Sequence, residues 1–210
     1  MTALIWDKTG EHVYETGVNN GVLYKYDKTT KNYKNGVAWN GLTTVTMSPE
    51  GAESNAVYAD NIKYLDLISA EEMKFTIEAV TYPDEFAECD GTASIAEGVF
   101  IGQQERAKFA FSYKTKVGND QDSEAGYKLH IVYNATAAPS ERAYATVSDS
   151  PEAITFSWEC STTPVPVKGH KPTAELIIDS KLKKIEAKLY GDESGEPTLL
   201  TPDEVLALLA

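Results

Sequence analysis

The sequence predicts a mainly β protein with minor α, a β-sandwich or barrel with one or two helices against it, and three observations carry that reading. Apolar residues fall at every second position in Phe109-Phe111-Tyr113, Tyr127-Leu129-Ile131-Tyr133 and Ile154-Phe156-Trp158, the period of strands buried on one face. The residues between these runs are turn formers, Gly118-Asn119-Asp120 and then Ala138-Pro139-Ser140-Glu141-Arg142. A helical period shows only near the C-terminus. Many short strands with few helices pack as a sandwich or barrel with the helices laid against it.

Taken in order, the first ten residues are charged and turn-like, and residues 2–14 form a candidate arm. Strands are expected near 22–26 and 36–47. Between Ser48 and Ala56 the run Pro49-Glu50-Gly51-Ala52-Glu53-Ser54-Asn55 breaks any strand, giving a long polar loop before an extended pattern resumes at 61–67. Met73, Phe75, Ile77 and Ala79 alternate with Lys74, Thr76 and Glu78, so this stretch reads as a half-buried strand. Pro83 with the acidic residues after it opens a helical turn over 84–89, and Gly91 to Gln104 reads as irregular with short extended pieces. A strand is expected at 174–178. Leu182, Ile185, Leu189 and Tyr190 then share one helical face, with Asp179 or Ser180 as cap and Gly191 as terminator. Thr201, Pro202 and Glu204 have the spacing of a capping box for a second helix. Its apolar end, Val205, Leu206, Leu208 and Leu209, is too short to be stable alone and must dock on something.

One domain spanning 1–210 is the simplest partition of 210 residues with ordinary apolar content. The formal charge of −13 is spread along the chain, and such a surface repels phosphate backbones, which disfavours sequence-specific DNA binding. Cys89 and Cys160 stand outside any CxxC or Cys/His cluster and read as reduced, partly buried thiols. No basic segment followed by an apolar run opens the chain, and no stretch approaches a transmembrane length, so folding in the cytoplasm without a membrane partner is expected.

Chemistry is weakly signalled. Counted from Asp120, a calcium loop would need Gly at position 125 and an acid at 131, but Ala125 and Ile131 stand there, so the stretch reads as a solvated hairpin turn. His12, His130 and His170 lack ligand partners at helical or hairpin spacing, and His130 faces away from the Leu129–Ile131 side of its strand. No nucleophile elbow, phosphate loop, dinucleotide fingerprint or HExxH motif occurs, so neither enzyme activity nor a cofactor is expected. Trp39, Tyr58, Tyr64, Tyr113 and Tyr133 could form a sugar-binding face, but alternating spacing favours core and subunit contacts.

A set of short pieces in fixed order carries a family resemblance. These are Trp6-Asp7-Lys8-Thr9-Gly10-Glu11, Tyr14-Glu15-Thr16-Gly17-Val18, Gly21-Val22-Leu23-Tyr24, Trp39-Asn40-Gly41-Leu42 and Tyr58-Ala59-Asp60-Asn61. They continue with Tyr82-Pro83-Asp84-Glu85-Phe86, Gly102-Gln103-Gln104, Ser112-Tyr113-Lys114-Thr115, Thr163-Pro164-Val165, Lys171-Pro172-Thr173 and Leu189-Tyr190-Gly191, beside the longer GYKLHIVYNATAAPSERAY and ITFSWECSTTPVPV. Over nearly the whole chain this wording resembles the major tail tube proteins of bacteriophages with long, non-contractile tails.

The resemblance implies the tail tube fold and a virion structural subunit. Hexameric rings would stack into a tube through which DNA passes to the host without sequence-specific binding. It also implies a tape-measure protein inside during assembly, a tail-tip initiator and a tail terminator as partners, with assembly in the host bacterial cytoplasm. By the same resemblance the loop at about 48–56, particularly Pro49, Glu50, Gly51, Glu53 and Asn55, is the inter-ring contact. Leu4 and Trp6 in an N-terminal arm of about residues 1–20, and Val205, Leu206 and Leu209 in the segment 201–210, are candidate interface arms. Some of the excess acid is expected to line the lumen, but alternation fixes relative faces and not which face is inward. The alternatives are the tube protein of a phage-derived injection particle and, from a different class, a monomeric carbohydrate-binding β-sandwich.

Overall fold

A computed structural model of the protein describes residues 4–147, 149, 153–179, 182–193 and 195–209. Its strands run in chain order as β1 (Tyr14–Asp27), β2 (Asn32–Tyr33), β3 (Val37–Trp39), β4 (Leu42–Met47), β5 (Glu50–Gly51), β6 (Ser54–Ala59), β7 (Ile62–Ile68), β8 (Glu71–Glu72) and β9 (Lys74–Ala79). After a 3-10 turn at Asp84–Glu88 come β10 (Ala93–Ala96), β11 (Val99–Ile101), β12 (Phe109–Gly118), β13 (Gly126–Ala137) and β14 (Phe156–Ser161). Then follow β15 (Val165–Val167), β16 (His170–Thr173), β17 (Glu175–Asp179) and the helices α1 (Lys183–Tyr190) and α2 (Pro202–Leu209). The chain is therefore mainly β with two short helices.

Two antiparallel sheets share β13. The first runs β17-β13-β12-β1, with β3 and β2 against parts of β1; the second runs β13-β14-β9-β4. β13 pairs β17 as far as Val132, and past Asn134, whose φ is 48°, it pairs β14 through Thr136 and Ala137. A second corner lies at Asn40-Gly41, where the chain leaves β3 in one sheet for β4 in the other. Gly41 has φ 76°, and a Cβ there would stand 2.7 Å from Thr81 Cγ2, so both conformation and space favour glycine.

The core has two layers. Between the sheets lie Leu23, Trp39, Phe75, Ile77, Phe86, Phe111 and Trp158, with Trp39, Phe86 and Trp158 in mutual ring contact at centroid distances of 4.6 to 5.7 Å. On the outer face of the first sheet, Tyr24, Leu129, Ile131 and Tyr133 pack against Ile185 and Leu189 of α1 and Val205 of α2. Each such side chain, fully buried, contributes roughly 1.5–3 kcal/mol. The alternation in β12 and β13 predicts one buried face, yet residues 109–113 and 129–133 are buried throughout. The alternating partners of the large residues are Ala110, Ser112, His130 and Val132. Small or internally paired, they fit under a second layer.

The structure corrects several boundaries. Ser48–Ala56 is not a strand-free loop: it holds β5 and the first half of β6, and Gly51 (φ 86°) and Ala52 (φ 52°) absorb the irregularity that Pro49 and the small residues signal. The short extended pieces expected in Gly91–Gln104 pair as the β10-β11 hairpin, Ile154 precedes its strand, and residues 165–173, where no strand is expected, form β15-β16. Pro83 stands just before the 3-10 turn, in extended conformation. Helix α1 starts after Leu182 with no side-chain cap; Asp179 ends β17, and Ser180 lies outside the described residues. Gly191 closes α1 at φ 77°, and the Thr201 capping box forms in full: Glu204 Oε2 accepts the Thr201 N–H at 2.8 Å, and Thr201 Oγ1 accepts the Glu204 N–H at 3.4 Å.

Candidate assembly surfaces

The most unusual element is an arm that leaves the second sheet between β4 and β9. These two strands pair from Leu42–Ala79 to Met47–Phe75, and the chain continues outward through β5-β8 and then β6-β7. Asp60 and Asn61 turn the tip, both with positive φ (51° and 66°), the two-residue turn that matches strand twist. At the root the Lys74 ammonium donates to Glu50 at 2.6 Å, and Ser69 and Glu53 exchange backbone and side-chain bonds.

The arm has two unlike faces. Directly paired residues share a face, so Val57 and Leu65 lie with Asn55 and Leu67, and the Ala59–Ile62 pair extends that side across an irregularity at Tyr64. The other face is mixed: it carries Tyr58 and Ile68 beside Ser54, Lys63 and Asp66, the last three joined by a Ser54–Asp66 hydrogen bond of 3.0 Å and a Lys63–Asp66 ion pair of 2.7 Å. Val57, Tyr58, Ile62, Tyr64, Leu65, Leu67 and Ile68 are all exposed. Among the expected inter-ring residues, Glu50 and Gly51 sit at the root in β5, Pro49 just before it, Glu53 on the way out and Asn55 in β6.

The candidate arms at the termini differ. Leu4, Ile5 and Trp6 are exposed, Trp6 at 73%, and the chain is first anchored at Gly10, whose N–H is accepted by both Asp120 carboxylate oxygens at 2.9 and 3.0 Å. Thr2, the first residue of the expected arm, lies outside the described residues. In the C-terminal helix Val205 is buried on its own subunit, while Leu206 and Leu209 are exposed. A further apolar surface, with no signal beyond its Gly98 turn, is the β10-β11 hairpin, where Ile95, Val99 and Phe100 are exposed.

The first sheet ends in open strand edges on both sides. Among the described residues β17 pairs only β13, and its Ile177 is 53% exposed; the Tyr14–Asn19 part of β1 likewise pairs only β12, because β3 reaches β1 no further than Gly21. Such edges can take a further strand, although at the start of β17 Thr173 Oγ1 already accepts the Glu175 N–H at 3.3 Å and donates to its C=O at 2.7 Å.

The polar clusters are structural in their chemistry. His130, nearly buried, stacks on Tyr113 with ring planes 3° apart and contacts Thr115 Oγ1 at 3.1 Å and Glu175 Oε1 at 3.2 Å, so it binds three strands together. Asp90 is held by Arg106 at 3.3 Å and by Arg142, whose guanidinium also lies over Tyr82 and Phe156. In the turn after β12, Asn119 Oδ1 accepts the Gln121 and Asp122 N–H groups, the geometry of a self-capped turn. Among the described residues no cluster of His, Cys, Asp and Glu is fit to hold a metal, and no helix is long and apolar enough to cross a membrane. Cys89 and Cys160 are free and buried, and burial pushes the Cys89 thiol up to about 12. Trp39, Tyr113 and Tyr133 serve the core, while Tyr58 and Tyr64 stand exposed on the arm.

No protein-family model matches the chain, and no curated protein sequence does. Among solved structures, a chain of the anti-feeding prophage (AFP) baseplate, in its 6-fold symmetrised cryo-EM structure, aligns with 78% of this chain and 95% of its own length. The TM-score is 0.38 and the identity 8%, a likeness too shallow to carry function across.

Proposed function

We propose that this chain is the structural subunit of a phage tail tube, closing into hexameric rings that stack around a lumen through which DNA passes. The observation that carries the reading is the pair of open edges of the first sheet, β17 on one side and the start of β1 on the other. An isolated subunit exposes both, at Ile177 of β17 and along the start of β1, whereas head-to-tail pairing around a ring covers both at once. The two-faced arm and the apolar N-terminal segment supply surface for contacts beyond the ring, and the ordered resemblance along the chain points the same way. In this reading Glu50, Glu53 and Asn55 sit at the base of the inter-ring contact, Leu4, Trp6, Leu206 and Leu209 meet neighbouring subunits, and the tape-measure protein, initiator and terminator act as partners. The subunit has no catalytic role.

Negative-stain electron microscopy of the purified protein, beside light scattering over a concentration series, tests this. Rings or hollow filaments are the expected result. A chain that stays monomeric even with a tail-tip complex, and that binds glycans, overturns the reading in favour of a carbohydrate-binding sandwich. Tubes that require a sheath partner select a contractile injection particle.

A further inference from the structure

We propose that Lys114 and Asn19 form an isopeptide bond, a covalent rung between β12 and β1 made by the chain's own side chains with loss of ammonia. This stands apart from the tube reading and holds whatever the chain builds. Along the half of β1 that β3 does not reach, the ladder to β12 is broken twice, between Thr16 and Asn19 and again between Asn19 and Val22. The pair left standing between the two irregularities is Asn19 with Lys114. Directly paired residues project from the same face of a sheet with Cβ atoms about 4.5–5.5 Å apart, within the reach of a lysine side chain.

The surroundings of the two side chains suit amide exchange. The Lys114 side chain is only 14% exposed; its ammonium meets Glu186 of α1 at 3.3 Å and lies over the rings of Tyr127 at 4.3 Å and Tyr190 at 4.9 Å. Tyr127 donates its hydroxyl to the other Glu186 oxygen, which fixes the carboxylate in place. Asn19 and Lys114 line one cleft together with Tyr127, and Asn19 lines the adjoining one with Tyr190, so the carboxamide borders the same space as both rings around the ammonium. Among the described residues no hydrogen bond holds that carboxamide. Asn19 is exposed, which gives the departing ammonia a way out.

Each group has a part in the reaction. Glu186 takes a proton from the Lys114 ammonium, and the freed amine attacks Cγ of Asn19. The bond from Nζ to Cγ forms, the bond from Cγ to Nδ2 breaks, and the two protons that Nζ gives up leave on Nδ2 as ammonium, with Glu186 ionised again at the end. Nothing is oxidised or reduced, and no further reactant is needed. The two rings and the carboxylate already screen Nζ from water, so little hydration is stripped as it attacks. The next lysine on the same face, Lys116, is placed differently: it is held by Glu124 at 2.8 Å and stands opposite Thr16, whose side chain has no carbonyl to attack.

Mass spectrometry of the purified, folded protein tests this. Trypsin leaves Asn19 in the peptide 9–25 and Lys114, no longer a cleavage site once acylated, in 109–116. The expected result is an intact mass below that of the sequence by one ammonia, together with a branched peptide that joins these two stretches at Asn19. A succinimide at Asn20-Gly21, Asn35-Gly36 or Asn40-Gly41 loses the same ammonia without a branch, so mass loss with no branched peptide overturns the proposal. A full intact mass, or a branch at Asn20, overturns it equally. Lys114→Arg and Asn19→Ala proteins are expected to keep the full mass. Glu186→Gln leaves both partners in place and takes away the proton carrier, and in timed cell-free synthesis the branched peptide should accumulate about 100-fold more slowly than in the parent. An unchanged rate in that variant overturns the part given to Glu186.

Discussion

Asp90 is the residue whose environment is most demanding. Its carboxylate is almost wholly buried, with side-chain exposure of 6%, and it is paired to two guanidiniums of unequal standing. Arg106 also donates to the carbonyls of Ala137 and Ala138, at 3.3 and 3.4 Å, and so ties the exit of β13 to the turn after the 3-10 helix. Arg142 arrives from the segment after β13 and lies over the Tyr82 and Phe156 rings. Removing the shared acid leaves Arg106 without its counter-charge, and breaking such a pair costs about 3–5 kcal/mol. Losing Arg142 leaves Asp90 still paired and removes a partly exposed contact worth about 1–2 kcal/mol. The expected order in urea unfolding is therefore Asp90→Ala well below Arg142→Ala, with the parent highest. Equal midpoints for the two variants contradict this account.

At the scale of elements, the arm is the clearest separation between folding and function. Deleting it, with residues 50–72 replaced by a short Gly-containing turn, removes no member of either core layer. The expected protein keeps the parent's thermal midpoint within a few degrees and fails to extend into full-length tubes. A truncated protein that still grows tubes of normal length removes the arm from the inter-ring contact. The arm also shows how far pattern reading reaches. Alternation located β9, β12 and β13 because their large side chains fill the two core layers. It missed β5 and β6, since Pro49, Gly51, Ser54 and Asn55 carry no apolar period, and their strand conformation is fixed by pairing with β7 and β8. The capping box of α2 and the Gly191 stop were legible because both are local. The open edges and the pairing of Asn19 with Lys114 were not, because they depend on which strands meet across the fold.

Across the whole molecule the same burial that builds both layers makes the fold sensitive to alkali. Tyr24 and Tyr133, under the helices, donate to the carbonyls of Leu189 and Leu200 at 2.6 and 2.8 Å, and burial raises both phenols. Tyr113, between the sheets, is raised by burial and then by the nearby Glu175 carboxylate; Cys89 and Cys160, in the same layer, are raised chiefly by burial. All five groups stay protonated in the folded chain at pH values where the unfolded chain has lost its protons. The unfolded state then binds fewer protons, so stability falls as pH rises, beginning near the ordinary values of 9.0 for the thiols and 10.0 for the phenols. Each group costs about 1.4 kcal/mol per pH unit above its unfolded value, against a total stability of about 5–15 kcal/mol. Because the two layers share β1, β12 and β13, neither can ionise and open while the other persists. Denaturant midpoints are expected to hold steady from pH 7 to about 9 and to drop steeply by about pH 11, in one transition whether read by tryptophan fluorescence from the inter-sheet layer or by helical circular dichroism from the outer one. Two separated transitions would mean that the helices fold on the sheet independently of the sandwich beneath.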